Sequence, residues 1–247
     1  MNWNSIVDRV TPYIVKIETP NGHGTGFLCF YNADRSFFGI ATARHVVSYA
    51  EEWQQPIRLQ HFPSNTNVFL KETDRIIFHD VNTDSALILV KPGELKLPQD
   101  TIPLLPSSIP LAIGTEVGWL GYPAMAQFDL CFFGGMISAR QEWQHAYLID
   151  GVAINGVSGG PVLYSTETDG IQIVGTVSAY MSNRATGSTL PGLAIARDVS
   201  HFHDTISALR SMDDARAKKR EQVQEQKKDQ TNEPPSPPPD KSQERNA

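Results

Sequence analysis

Cysteine is nearly missing from this chain: 247 residues hold only two, Cys29 in GFLCF and Cys131 in FDLCFF. A small scaffold stapled by disulfides is thereby excluded. Both cysteines lie in apolar, strand-like runs and read as core thiols, a common setting for free cysteine; a single disulfide stays open for an exported chain. Long apolar runs are missing too. None reaches the roughly 20 residues that cross a bilayer, and the opening MNWNSIVDRVTPYIVKIETP has neither the basic start nor the apolar stretch of a signal peptide. A soluble, cytoplasmic protein without a membrane partner is predicted. Positive charge is also scarce. The net charge is −6, and the residues before 213 carry 13 basic against 19 acidic side chains. That balance argues against nucleic-acid binding, which needs a basic footprint.

What is present is a chain 40% hydrophobic and 19% charged, enough to bury a sizeable core. Short β-like runs dominate its first half: YIVKIET, GFLCFY, FFGIA, IRLQHF, VFLKE, RIIFH and SALILV. They are rich in β-branched and aromatic residues and separated by Asn, Asp, Gly and Pro; little helix is expected here. Residues 91–110, KPGELKLPQDTIPLLPSSIP, carry five prolines, which forbid a regular ladder and suit an extended connector. A second β series follows, from EVGWLGYP through DLCFFGGMISAR, HAYLID, PVLYS and IQIVGTVSAY to GLAIA. Two all-β halves around a Pro-rich linker predict two barrels packed together.

From about Val199 the period changes to that of a helix, with Phe202, Ile206 and Leu209 on one face. Beyond Met212, DDARAKKREQVQEQKKDQ extends that helix only through charge pairs, and the Pro-rich TNEPPSPPPDKSQERNA suits disorder. The tail is a candidate for binding a partner protein, although an inert solvated tail is the more frequent case.

The stretch GVSGGPVL, residues 156–163, places Ser158 among glycines that free the backbone to turn and to approach another molecule closely. A hairpin turn has the same composition. Serine acting as a nucleophile needs a base to take its proton and a carboxylate to orient that base. Candidates for both lie in the first half: His45 in GIATARHVVSYA, directly after a strand, and Asp84 in TDSALILV, directly ahead of one. His201 and His203 in SHFHD point apart on a helix with no third ligand nearby, so no metal is expected. Gly22, Gly24 and Gly26 in NGHGTGF precede a strand instead of a helix, unlike a phosphate loop. No cofactor is expected.

The order His, Asp, Ser, with TARHVV, TDSALILV and GVSGGPVL around them, resembles the trypsin-like (chymotrypsin-fold) serine proteases. The likeness is nearer to their HtrA-type branch, in the strand GHGTGFL before the histidine, the strand GGMISAR, the segment LIDGVAINGVSGGP and the strand EVGWLGYP. It runs from about Ile14 to Arg197. It implies an all-β fold of two packed six-stranded barrels with a C-terminal helix: first barrel about 10–91, linker 92–113, second barrel 114–197, helix 198–212, tail 213–247.

It also implies a serine endopeptidase acting on protein or peptide substrates, with His45, Asp84 and Ser158 as triad and the N–H groups of Gly156 and Ser158 as oxyanion hole. Val152 and Ala153 fall at the base of the substrate pocket, and Ser178, Ala179 and Tyr180 on its wall, where a substrate strand would pair. No acid matches the pocket floor, so cleavage after small or aliphatic residues is expected, and MSNRATGSTLPG, residues 181–192, reads as a mobile regulatory loop. There are two departures from the pattern. Too few residues follow Arg197 for the PDZ domain usual in that branch, and Val157 stands where trypsin-like digestive enzymes carry the Asp that receives a newly cut N-terminus. The rival reading is a catalytically silent protease fold serving as a binding or scaffold module.

Overall fold

The computed structural model describes residues 2–93, 95–126, 128–185 and 188–231. The runs read as β from the sequence form strands. In the first half these are β1 (Ile14–Thr19), β2 (Gly22–Tyr31), β3 (Phe38–Ala43), β4 (Ile57–His61), β5 (Thr66–Leu70), β6 (Arg75–Asp80) and β7 (Ser85–Val90). They make one curled antiparallel sheet of seven strands, in the order β5-β4-β1-β2-β3-β7-β6. The count is seven where six are expected, because VFLKE and RIIFH both pair, β5 on β4 and β6 on β7. The second half holds β8 (Glu116–Gly121), β9 (Cys131–Gln141), β10 (Ala146–Asp150), β11 (Pro161–Thr166), β12 (Gly170–Ala185) and β13 (Ser188–Asp198), closed into a six-stranded barrel.

Three α-helices accompany the strands: α1 (Trp3–Val10), α2 (Arg44–Glu52) and α3 (Ser200–Thr231). The first two correct the expectation of little helix in the first half. In α1, Trp3, Ile6, Val7 and Val10 form a stripe at helical spacing, and the Asn2 side chain caps the Ser5 N–H. In α2 the β-branched pair Val46 and Val47 reads as strand, yet the two side chains and Ala50 are buried together on one helix face.

Both terminal helices reach the barrel opposite their own. Trp3 of α1 packs at a tilt against Phe132 of β9, ring centroids 5.1 Å apart, and donates from its indole to Glu116 at 2.7 Å. Phe202 of α3 meets Phe27 of β2 edge-on at 6.3 Å. Ile6, Val10, Phe202, Ile206 and Leu209 are all buried in the larger of two core clusters, which fills the second barrel and the seam between the halves. Each such side chain contributes roughly 1.5–3 kcal/mol.

The connector is more than a spacer. Leu95 and Leu97 enter the first core, Ile102, Leu105 and Leu111 the second. Leu105 N–H donates to Ile173 O and Ile173 N–H to Pro103 O, each at 2.8 Å.

The segment 181–192, expected to be a mobile loop, continues the ladder of β12 and β13, with Asn183 opposite Leu190 and Ala185 opposite Ser188; Thr186 and Gly187 lie outside the described residues. Helix α3 likewise passes Met212 and runs through the charged segment to Thr231, so the chain remains helical across the boundary drawn at 213. The Pro-rich end, from residue 232, lies outside the described residues. Cys29 and Cys131 are both unbonded; Cys29 is buried, but Cys131, at the start of β9, is only half-buried. No helix among the described residues is long and apolar enough to cross a membrane.

Candidate active site

His45 is the second residue of α2, just past the end of β3. Ala43, at the N-cap position, has no side chain to offer the helix. Asp84 takes that role from a distant part of the chain: its carbonyl accepts the Arg44 N–H at 2.8 Å and its Oδ1 the His45 N–H at 3.0 Å. Asp84 has the left-handed φ of +49°, unusual outside glycine. The β6–β7 turn holds it there. Asp80 Oδ1 accepts from Asn82 N–H at 2.6 Å and Thr83 N–H at 3.2 Å, an Asx-type turn, and Asp80 pairs with Ser85 across it.

With its backbone so fixed, Asp84 aims Oδ2 at His45 Nδ1, 2.8 Å away. A second donor meets the same oxygen: Ser178 Oγ, at 2.5 Å. The β12–β13 register shifts between Val177 and Ala179, and this bulge gives Ser178 its separate direction. Burial alone would push the Asp84 carboxyl up. The hydrogen bonds from His45 and Ser178, with the charge His45 can carry, outweigh burial and hold it below the usual carboxylate range.

Ser158 lies in the turn between β10 and β11. Gly156 and Gly159 take φ of +93° and +84°. A Cβ on Gly156 would collide with Tyr122 O, and one on Gly159 with Thr42 Oγ1 and Thr25 O, so both positions require glycine. From Ile154 to Ser158 every backbone carbonyl has a donor: Val157 N–H, Ala124 N–H, Thr25 Oγ, Gly160 N–H and Thr25 N–H in turn. The N–H groups of Val157, Gly159 and Gly160 are likewise engaged. Those of Gly156 and Ser158 make no hydrogen bond among the described residues. Two neighbouring amides are therefore left to an external acceptor.

His45 and Ser158 line one cleft of about 210 Å³ with Ala153, Ser178, Ala179 and Tyr180. Val152, expected at its base, is 48% exposed and does not line it, because the chain between β10 and the glycine turn points that side chain outward. Ile154, Asn155 and Val177 line it instead. Their adjacency to Ala153, Gly156 and Ser178 was the available signal. The bond from Ser178 to Asp84, 94 positions apart, had none in the sequence. No hydrogen bond joins the Ser158 hydroxyl to the His45 imidazole among the described residues.

A larger cavity, about 880 Å³, lies between β2, the connector and α3. Its one thiol, Cys29, is pushed up to about 12 by burial, and its histidine, His203, is bonded through Nε2 to Leu105 O at 2.8 Å. The thiol is thereby kept protonated and the histidine is already engaged. His201, two residues away, turns to Asp80, with Nδ1 3.7 Å from Oδ2. The two histidines therefore serve separate contacts between α3 and the rest of the fold.

No curated protein matches the sequence. Among solved structures, the crystal structure of Deg5 superposes with a TM-score of 0.61 at 18% identity, covering 84% of this chain and 93% of that one. The serine endoprotease from Yersinia pestis gives 0.60 at 20%, covering 85% and 67%. These are likenesses of fold. The profile of the trypsin-like peptidase domain matches residues 24–169, a span holding His45, Asp84 and Ser158. With more than half of the chain inside that match and the two-barrel fold around it, the protein belongs to the trypsin-like peptidase family.

Proposed function

We propose that the chain is a serine endopeptidase in which His45, Asp84 and Ser158 act as a triad. The observation that carries this reading is the Asp84–His45 pair, closed at 2.8 Å, with His45 and Ser158 lining one cleft and the amides of Gly156 and Ser158 unengaged. The bond from Nδ1 to Asp84 assigns the proton to that nitrogen and leaves Nε2 free to accept another. In the first step Ser158 Oγ bonds to the substrate carbonyl carbon while its proton passes to His45 Nε2. The carbonyl π pair moves to oxygen, which Gly156 and Ser158 N–H receive. The C–N bond then breaks, the amine takes the His45 proton, and an acyl ester remains on Ser158. Water, deprotonated by His45, repeats the sequence and releases the acid. The Ser158–His45 bond absent from the free enzyme forms when substrate orders the cleft, as is common for catalytic hydrogen bonds in unliganded enzymes.

Specificity follows from the lining. Ala153, Ile154 and Val177 supply apolar surface, and no carboxylate lines the cleft among the described residues. A small or aliphatic side chain gains by burial there, whereas an Arg or Lys charge would lose water without finding a partner. The test is covalent labelling with a fluorophosphonate probe, mapped by peptide mass spectrometry. Labelling of Ser158 that disappears in Ser158→Ala is expected. An unlabelled wild-type chain would leave this fold a binding module.

A further inference from the structure

One fully buried residue of the first sheet bonds the backbone carbonyls of both residues whose amides are unengaged, one through its hydroxyl and one through its own N–H. Thr25, on β2, is 0% exposed. Its N–H donates to Ser158 O at 2.8 Å and its Oγ1 to Gly156 O at 2.9 Å. These are the carbonyls of the two residues whose N–H groups make no hydrogen bond among the described residues. The direction of the hydroxyl is settled by its third partner. Tyr122 N–H donates to Thr25 Oγ1 at 2.9 Å, so the hydroxyl proton can only go to Gly156 O. Thr25 O in turn accepts from Thr42 Oγ1 at 2.7 Å, and Thr42, also 0% exposed, stands three residues before His45. Two threonines thus connect the strand leading to the histidine with the loop carrying the serine, across the seam between the halves.

We propose that Thr25 is a positioning residue for the oxyanion-binding amides, a role that rests on reading Ser158 as the nucleophile. Gly156 has a φ of +93°, where glycine alone moves freely, so its own backbone imposes little. With Gly156 O and Ser158 O both held by Thr25, the peptide planes on either side of the Ser158 amide are fixed, and the Gly156 amide, whose own plane is held by Ala124 N–H on Asn155 O at 2.7 Å, is pinned from its other side. The N–H groups then meet the oxygen where charge develops, without reorganising during the reaction. Because the benefit is realised in the transition state, it acts on kcat more than on KM.

The experiment compares wild type, Thr25→Val, Thr25→Ser and Thr25→Cys in the full chain, with rates normalised to the fraction of Ser158 that a fluorophosphonate titrates. Thr25→Val keeps the shape and removes the hydroxyl. Its kcat is expected to fall by about 100-fold with KM changed by less than about three-fold, matching loss of an oxyanion donor. Affinity for a peptide boronic acid, which mimics the tetrahedral state, should fall in parallel. Thr25→Ser restores the hydroxyl and should stay within about three-fold of wild type. Thr25→Cys, with only a weak S–H donor, should fall between them and carries the test if Thr25→Val does not fold. A wild-type kcat in Thr25→Val or Thr25→Cys, or equal losses in Thr25→Val and Thr25→Ser, overturns the proposal. Failure of the wild-type chain to label at Ser158 overturns the nucleophile reading and this one with it, and is told apart because it appears before any substitution.

Discussion

Asp84 holds His45 twice, by the imidazole Nδ1 at 2.8 Å and by the backbone N–H at 3.0 Å. The same carboxylate orients the ring and caps the helix that carries it. In Asp84→Asn, the amide nitrogen can donate to Nδ1 and force the wrong tautomer, so kcat should drop by about 10⁴. The Asn oxygen can still accept the His45 N–H, so stability should fall only by the lost negative charge at the helix N-terminus, about 0.3–1 kcal/mol. A urea melt alongside the kinetics separates the two effects. Normal stability with a large kinetic loss would show that the charge adds nothing to the helix.

The bond from Ser178 to Asp84 predicts a pH signature. A carboxylate held below its ordinary range contributes stability that is complete above the unfolded value of about 3.9 and is lost as pH falls through the folded value. Ser178→Ala removes one group that lowers it, so the folded value rises and the variant lacks part of that stability at neutral pH. The stability gap between wild type and Ser178→Ala should narrow as pH falls below about 4. Urea melts from pH 7 downward measure it, and a gap constant with pH would mean that the hydroxyl acts only through packing.

Specificity is predicted from the apolar lining of the cleft. A peptide-library digest should show cleavage after Ala, Val, Ile or Leu, with burial worth about 1.5–3 kcal/mol for Val, Ile or Leu and about 0.8 kcal/mol for the Ala methyl. Predominant cleavage after Arg or Lys would contradict the pocket while leaving the triad intact.

Val157 is fully buried, and its side chain lies where a Cβ on Gly121 would clash. It offers no carboxylate to an incoming ammonium, and a buried charge there would stand unpaired. Activity should therefore not require a new N-terminus. Intact-mass measurement of the labelled chain should give the unprocessed mass plus one probe; labelling confined to a shortened form would refute this.

The far end of α3 should matter little. Asp213 Oδ2 accepts from Ala33 N–H at 3.3 Å, but Ala217–Gln222 are exposed. A chain ending at Arg216 should keep its Tm within about 2 °C and its peptide cleavage rate, since the exposed Ala217–Gln222 bury almost no apolar area. A drop of about 5 °C, equivalent to roughly 1–2 kcal/mol for a domain of this size, would show that the segment is structural.

The strands were legible in the sequence because β-branched and aromatic runs between turn residues carry their own local signal, and so were the positions of His45, Asp84 and Ser158, marked by the motifs around them. The helical stripe of α1 was there to read as well, from Trp3 to Val10. Val46 and Val47 concealed α2, because its cap comes from Asp84, about forty positions away, and local propensity holds no trace of that bond. Only the tertiary structure decided that Ser178 reaches Asp84, that Val152 faces solvent, and that Thr25 grips the carbonyls of Gly156 and Ser158. Each of these depends on where two separate sheets meet. Alternation along a strand says which face a side chain takes, but the partner across the seam is set by how the sheets curl and pack.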